Sequence, residues 1–536
     1  MWLILYLVVL VGTSEGRERL DPLVQTSQGL VRGQRGEDGD YYMFLGIPYG
    51  QVDQTNPFGV STPHQKFDDI YEANDDSSIC PQVQDFTNDV IGTLDCLRLN
   101  IYVPAKASSR NRLAVLVYIH GGAFNTGYST RTNYGPKHLV KHDVILVQVN
   151  YRLGPYGFLC LGTEEVPGNQ GIKDQLLALR WIKDNIASFG GDSNKITIMG
   201  ESAGASSVEL HLLSKQEKLY NKAILQSGTL LKPSGIDDTD VTPALQITDK
   251  LGFTTDDVTE ALNFIKQADP KLLIGAYSEL SLNLRACVEK QIENTESIIT
   301  EHPINLNIPK IRGMPILVGY NSMEALLIDN NKPKDYFKDP NFFKDTIAQT
   351  FNIDEDLEED IDLVRNFYVG DEELTEDVRS DIIDFESDFY YNYPIQWSIG
   401  KYLDNRAGNV YQYLFSYEGG RNYIKNKFNI SLDGVGHGDE LGYLFHMSGN
   451  EGIPSDEDQL MIDRITTLWT NFVKYGDPTP ETTELLQQKW LPVTNSTVNY
   501  LSIDSELVMK KRPFKARLAF WKLFFKTNRE KLRGLN

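Results

Sequence analysis

The chain has 536 residues, of which 74 are acidic and 52 basic, and its formal net charge at pH 7 is −22. A surface this acidic repels phosphate backbones and anionic lipid headgroups, so we expect neither a nucleic acid nor a membrane as a partner. Apolar residues make up 41% of the chain and charged residues 24%, which is typical of a globular protein.

Ten apolar residues, 2–11, lie near the start of the chain and are followed at once by small residues. Because this run is too short to span a bilayer, we interpret residues 1–16 as a signal peptide and expect a secreted protein. Residues 17–536 contain no internal repeat and no low-complexity linker, which favours a single domain over two. Secretion makes N-glycosylation possible, and the sequons at Asn429 and Asn495 predict surface glycans.

Secretion also makes disulfides possible, and the chain has four cysteines. Cys80 and Cys96 flank the polar stretch 81–95, a sensible loop to close with a bridge. Cys160 follows an apolar run, and the sequence leaves open whether Cys287 pairs with it or stays free.

Short apolar runs of strand length alternate with helical patterns along the chain. The runs cover residues 114–119, 144–149, 196–199, 223–225, 316–318 and 410–415. Helical periodicity, as in residues 175–182, separates many of them, and this alternation predicts an α/β fold with a mostly parallel sheet covered on both faces. Such sheets place ligands at the carboxyl ends of their strands. The acidic regions from about 232–300 and 328–400 have helical periodicity and predict helical insertions.

The most informative motif is Gly-Glu-Ser-Ala-Gly at residues 200–204, which directly follows the β-branched run 196–199. A helix-like segment, 206–213, comes next. Small residues on both sides of Ser202 permit a sharp strand-to-helix turn that exposes the serine Oγ at the end of the strand. The context predicts a nucleophilic serine.

A serine hydroxyl needs a base to take its proton, and the base needs an acid to orient it. His437 is the only one of the eight histidines that lies downstream of Ser202 in a glycine-rich loop, 434–440. Glu324 follows the apolar run 316–318 and can reach the same edge of the sheet. Many other carboxylates lie between Ser202 and His437, so composition alone does not select the acid.

Backbone donors for an oxyanion are predicted at Gly121 and Gly122, which follow the apolar run 115–119 and His120. Glycines at this point let the main chain approach a substrate oxygen with both amides free. The amide of Ala203 is the third candidate donor.

Together these motifs resemble the type-B carboxylesterase/cholinesterase family, and among its members the secreted insect esterases are most similar. The matching segments are 44–49, 95–102, 120–124, 150–155, 168–171, 189–192, 226–228, 436–440 and 520–521. The resemblance implies an α/β-hydrolase fold for the whole mature chain. It also implies a Ser202, Glu324 and His437 triad, an oxyanion hole of Gly121, Gly122 and Ala203, and a Cys80–Cys96 disulfide.

Three departures from the family pattern bear on function and packing. Residues 81–95 contain no tryptophan, where cholinesterases hold a quaternary ammonium by a cation–π contact, which argues against choline esters. Juvenile hormone esterases usually have glutamine where this chain has Glu201. An Arg–Glu ion pair common in the family is replaced by Pro57 and Leu94, for which we predict an apolar contact.

We therefore expect a serine carboxylesterase that hydrolyses uncharged esters through an acyl-enzyme on Ser202, in detoxification or in degradation of odorant or hormone esters. The alternatives are a juvenile-hormone-type esterase and a slow-turnover scavenging or binding protein. No metal or organic cofactor is expected, because the chain has no HExxH, P-loop or dinucleotide motif. Phe124 and Tyr128 are candidates either for the pocket wall or for packing beneath it. Activity should fall on acidification through about pH 6–7 as the base becomes protonated.

Overall fold

A computed structural model of the chain describes residues 21–84, 87–327, 332, 336, 338–450 and 452–533. The predicted signal peptide, 1–16, lies outside the described residues. At the centre is an eleven-stranded sheet. Its strands in chain order are β1 (Gln34–Arg35), β2 (Tyr41–Pro48), β3 (Arg98–Pro104), β4 (Leu113–Ile119), β5 (Ile145–Val149), β6 (Gly191–Glu201), β7 (Lys222–Gln226), β8 (Ile316–Asn321), β9 (Val410–Phe415), β10 (Asn499–Ile503) and β11 (Leu507–Lys511).

The strand order across the sheet is β11-β10-β9-β8-β7-β6-β4-β5-β3-β2-β1. The central strands, in the order β5-β4-β6-β7-β8-β9-β10, are each parallel to their neighbours. The pairs at the two edges of the sheet are antiparallel. β4 is buried along its whole length because side chains alternate into cores on both faces. Val115 and Val117 enter one core, and Leu116 and Tyr118 enter the other. The predicted α/β fold with a mostly parallel, doubly covered sheet is confirmed.

Ten helices of eight or more residues are described. They are α1 (Gln170–Asn185), α2 (Ala203–Leu213), α3 (Thr242–Lys250), α4 (Val258–Ile265), α5 (Pro270–Glu279), α6 (Glu355–Tyr368), α7 (Arg379–Ser387), α8 (Tyr393–Asp404), α9 (Asp456–Tyr475) and α10 (Lys515–Thr527). Shorter helices cover Lys137–Val140, Gly154–Phe158, Phe342–Ile347, Tyr423–Phe428 and Leu441–Leu444, and a π-helical turn, Asp388–Asn392, joins α7 to α8. Small sheets pair Leu23–Thr26, Gly29–Arg32 and Tyr71–Glu72, then Gly50–Gln51 with Thr62–Pro63, and Gln82–Val83 with Val90–Ile91.

The two acidic regions predicted as insertions both contain helices, although residues 281–300 of the first region form none. Helices α3, α4 and α5 pack in one apolar cluster with Phe58 and side chains of residues 156–166, and helices α6 and α7 pack against α10 in another. The apolar faces of both insertions are therefore covered within the chain. Among the described residues there is no helix of sufficient length and apolar character to cross a bilayer.

Both pairs of cysteines form disulfides. The predicted Cys80–Cys96 bridge is confirmed, with an S–S distance of 2.02 Å. Cys160 bonds to Cys287, which lies 127 residues further along the chain. This second bridge answers the question that the sequence left open, and it ties the insertion that contains α3, α4 and α5 to the segment before α1.

The predicted contact between Pro57 and Leu94 remains a prediction. Leu94 packs at the edge of the apolar cluster that contains Phe58, and the carbonyl oxygen of Pro57 accepts a hydrogen bond from Arg152 at 2.9 Å. Arg152 is itself fully buried and paired with Asp174, Nε to Oδ2, at 2.7 Å. A cation is thus present beside the position of the missing family pair. The two sequon asparagines are exposed, and their glycosylation also remains a prediction.

Gly204, at the start of α2, offers a sharp test of how tightly the strand-to-helix turn is packed. A Cβ atom there would lie 2.1 Å from the carbonyl oxygen of Ile119. We expect Gly204→Ala to lower the free energy of unfolding by about 1–3 kcal/mol, measured by urea denaturation. Gly400, within α8, is the matched control because a Cβ there meets no atom within 4 Å. Gly400→Ala should raise the same quantity by up to about 1 kcal/mol; equal effects of the two changes would contradict the packing argument.

Candidate active site

Ser202 occupies the one-residue turn between β6, which ends at Glu201, and α2, which begins at Ala203. Its backbone has φ 58° and ψ −123°, a region that non-glycine residues rarely adopt. The turn is held by a hydrogen bond from the Ser202 amide to the carbonyl oxygen of Gln226 at 2.9 Å. Only glycine fits at position 200, because a Cβ there would lie 2.2 Å from the carbonyl carbon of Gly204 in the helix that follows. The local sequence therefore forces the serine into a strained and outward position.

His437 and Glu324 meet at the carboxyl end of the same sheet. Nδ1 of His437 lies 2.7 Å from Oε2 of Glu324. The other carboxylate oxygen, Oε1, accepts hydrogen bonds from the Asn321 amide at 2.6 Å and from the Ser227 hydroxyl at 2.7 Å. Glu324 is fully buried and His437 nearly so. These contacts fix the position of the Glu324 carboxylate. Because the carboxylate binds Nδ1 of His437, the other ring nitrogen, Nε2, points away from Glu324.

Nε2 of His437 faces a second carboxylate, because Oε1 of Glu201 lies 3.2 Å from it. Burial raises the pKa of Glu201 to about 7, against the lowering effect of the His437 charge. Burial alone would lower the pKa of His437, but the charge of Glu201, the hydrogen bond to Glu324 and the charges of Glu324 and Glu440 together raise it to about 9. The ring of Tyr391, from the π-helical turn, packs on the imidazole with centroids 4.8 Å apart.

Glu440 completes a buried layer beneath the histidine loop. Its Oε1 accepts from the Gln226 side-chain amide at 2.7 Å, and its Oε2 accepts from that of Asn321 at 2.6 Å. Burial and the charge of Glu201 raise the pKa of Glu440 to about 8. Three carboxyl groups therefore raise the pKa of one imidazole, and hydrogen bonds hold Glu324 and Glu440 in place.

Gly121, Gly122 and Ser202 line the same cleft, and Ala203 follows Ser202 as the first residue of α2. Gly122 has φ 107°, and a Cβ there would lie 2.1 Å from the Thr126 carbonyl oxygen, so only glycine fits. Within the described residues, the amides of Gly121, Gly122 and Ala203 donate to no protein acceptor. Three N–H groups are therefore left for a ligand beside the Ser202 side chain.

The cleft that contains these groups has a volume of about 840 Å³. Ser202 and His437 both line it, and so does Tyr128, one of the two candidate wall residues. Phe124, the other candidate, is buried against Phe158 with ring centroids 4.6 Å apart. Of the two readings, Tyr128 fits the wall and Phe124 fits packing beneath it.

A model of the carboxylesterase family matches residues 20–521 of the chain. The chain belongs to the carboxylesterase family. Among curated relatives, Esterase FE4 of Myzus persicae is 30% identical over 92% of this chain and 91% of its own length. Bile salt-activated lipase of Rattus norvegicus is also 30% identical, over 94% of this chain and 85% of its own length. A crystal structure of juvenile hormone esterase from Manduca sexta, with OTFP covalently attached, superposes with a TM-score of 0.79 and 25% identity, over 95% of this chain and all of the other.

The family match makes this protein a carboxylic ester hydrolase with the α/β-hydrolase fold. The sequence had selected Ser202, Glu324, His437, Gly121, Gly122 and Ala203, and all six lie at one end of the sheet of this carboxylesterase. It had not selected Glu440, nor had it linked Glu201 to His437. A signal for both existed, since Glu201 directly precedes Ser202 and Glu440 ends the same glycine-rich loop as His437.

Proposed function

We propose that this carboxylesterase is a secreted enzyme that hydrolyses uncharged esters through a covalent acyl-enzyme on Ser202. The observation that carries the proposal is the 2.7 Å contact between His437 and Glu324 in a cleft shared with Ser202 and the free glycine amides. Each group needed for acyl transfer is present, and none needs a metal or organic cofactor. The two disulfides support secretion, because such bonds persist in oxidising compartments.

In the first half of the reaction, Nε2 of His437 takes the Ser202 proton while Oγ attacks the ester carbonyl carbon. The negative charge that develops on the carbonyl oxygen is bound by the amides of Gly121, Gly122 and Ala203. Glu324 stabilises the imidazolium, which then protonates the departing alcohol. Water repeats these steps on the acyl-enzyme, releasing the acid and restoring the serine.

The names of the relatives refer to different activities, so they support ester hydrolysis but do not identify which ester this enzyme hydrolyses. A juvenile-hormone-type esterase is the second candidate, favoured by the 0.79 TM-score to such an enzyme. The carboxylate of Glu201, where those esterases usually have glutamine, weighs against it. Choline esters are disfavoured because the cleft already holds the Lys427 ammonium over the rings of Tyr423 and Phe428, at 5.7 Å and 5.3 Å.

The proposal is tested by hydrolysis of p-nitrophenyl esters of increasing acyl length, with rapid mixing to resolve any burst. We expect steady turnover after a burst of up to one equivalent, and mass spectrometry of the quenched enzyme should find the acyl group on the peptide that contains Ser202. The optimal chain length would measure the acyl side of the cleft. A burst without steady turnover would instead identify a scavenger, and an unlabelled Ser202 would refute the acyl-enzyme.

The Glu201 carboxylate should set the pH dependence of this reaction. Only neutral His437 can accept the serine proton, and its raised pKa moves the expected acid limb above the pH 6–7 of an ordinary imidazole. Glu201→Gln removes the negative charge at 3.2 Å, so the pKa of His437 should fall and the acid limb of kcat/KM should shift to lower pH. Glu440→Gln is the control, with a smaller expected shift because the charge of Glu440 is the smallest of the effects that raise the pKa of His437. If the acid limb of kcat/KM in Glu201→Gln stayed at the wild-type pH, the Glu201 charge would not be what raises the pKa of His437.

A further inference from the structure

Ester hydrolysis, as described above, assigns no role to the cleft residue Lys232. It follows β7 by a short turn and lines the same cavity as Ser202 and Glu201. The side chain is partly buried. Across the part of the chain that the structure describes, its ammonium makes no ion pair and no hydrogen bond to the protein. Lys232 thus lines the cleft, and no described protein group accepts a hydrogen bond from its ammonium.

The charge of the cleft lining also differs from that of the protein. Acidic side chains exceed basic ones by 22 in the chain, 74 against 52. The charged groups that line the cleft are Lys232, Lys427, Glu201 and His437. Glu201 faces the imidazole, and the Lys427 ammonium lies over two aromatic rings, so Lys232 is left as the cation open to a bound substrate.

A bound ester displaces water from the cleft, so the free energy of binding depends on what replaces the hydration of the Lys232 ammonium. An alkyl chain placed against the ammonium removes its hydration and returns no hydrogen bond, which disfavours binding. A carboxylate placed there replaces the lost water with a charge-assisted hydrogen bond. The same lysine therefore selects for one ligand and against the other, which is how buried polar groups give specificity.

We propose that Lys232 binds a carboxylate carried by the ester, so that the enzyme prefers half-esters of dicarboxylic acids to uncharged esters of the same shape. This inference rests on the proposed function, and it adds a preferred class to the uncharged esters assigned above. Hydrolysis of such a half-ester follows the same acyl transfer on Ser202 and releases the alcohol and a dicarboxylate.

The protonation state of Lys232 gives the proposal a second signature. Burial and the charge of Arg285 lower the pKa of Lys232, Glu201 raises it, and the result is about 8. Arg285 is itself engaged, with Nε 3.5 Å from Oδ2 of Asp237. The preference for a carboxylate should therefore be present at pH 7 and decline as the pH rises through 8. Because it is a ratio of two esters, the titration of His437 cancels.

The test compares monoethyl esters of succinic, glutaric and adipic acids with neutral ethyl esters in which an isopropyl group replaces the carboxylate. Steady-state kcat/KM is measured by pH-stat for the full-length protein and for Lys232→Met and Lys232→Arg. We expect the wild type to favour the charged ester about tenfold at one chain length, the methionine variant to lose this preference, and the arginine variant to keep part of it. A parallel series with the carboxylate on the alcohol side shows which half of the ester Lys232 binds.

Lys427→Met is the matched control, because it removes the same charge from the same cleft. An equal preference in wild type and Lys232→Met, or a preference lost only in Lys427→Met, would overturn the proposal. Hydrolysis of the neutral esters by Lys232→Met, at the wild-type rate or faster because the desolvation cost of the ammonium is removed, establishes that the variant is folded and active. Failure of the proposed function is distinct: the neutral esters would not turn over at all, and calorimetric binding of the two esters to Ser202→Ala would then decide the role of Lys232.

Discussion

Replacement of Ser202 by alanine is expected to lower kcat for p-nitrophenyl esters by roughly 10⁴–10⁶-fold, with little change in stability. The reason is chemical: without Oγ no acyl-enzyme forms, and the cleft can only bind the ester and polarise its carbonyl. The residual rate should therefore exceed that in water, since the amides of Gly121, Gly122 and Ala203 remain. Active-site titration of the wild type supplies the enzyme concentration against which both rates are expressed.

Ser206→Ala is the matched control for this experiment. Ser206 lies one turn further along α2, is buried, and donates its amide to the carbonyl oxygen of Ser202. The change also removes a serine hydroxyl, here from the helix that follows Ser202, and should leave kcat within a few-fold. Retention of a substantial part of the wild-type rate by Ser202→Ala would mean that another group attacks the ester.

The parts of the site that the sequence predicted well are those fixed by local geometry. The turn at Ser202 requires glycine at positions 200 and 204, and the close approach of the main chain at Gly122 leaves no room for a side chain. These requirements are visible in the sequence as conspicuous glycines. The start of β6 could not be predicted from the apolar run 196–199. Its first five residues, 191–195, are polar or glycine, and Gly191 still pairs with Leu113.

Features that depend on distant parts of the chain could not be derived from spacing. Cys160 and Cys287 are brought together by an insertion whose path no local pattern describes. Glu324 was one carboxylate among many between Ser202 and His437; its position after the run 316–318 favoured it, and the family resemblance implied its role. The contact of Glu201 with His437 arises where the turn after β6 meets a loop more than 200 residues later, so its effect on the pKa of His437 appears only in three dimensions.

Replacement of Glu324 by glutamine should reduce kcat by about 10⁴-fold, although the two side chains have nearly the same shape. The surroundings of the carboxylate decide this outcome. Its Oε1 accepts from two donors, the Asn321 amide and the Ser227 hydroxyl, so the amide oxygen of the glutamine must occupy that position. The NH₂ group then faces Nδ1 of His437, which has to become an acceptor.

An imidazole that accepts at Nδ1 carries its proton on Nε2 and cannot take the proton of Ser202. The loss should therefore persist at alkaline pH, above the pKa of about 9 where the wild-type base is neutral, and the melting temperature should change little. Glu324→Asp is the informative comparison, because it keeps the acceptor and the charge while shortening the side chain, and it should retain more activity than Glu324→Gln. If Glu324→Gln kept the wild-type kcat, another carboxylate would have to orient His437, and the buried Glu440 and Glu201 would be the next to replace.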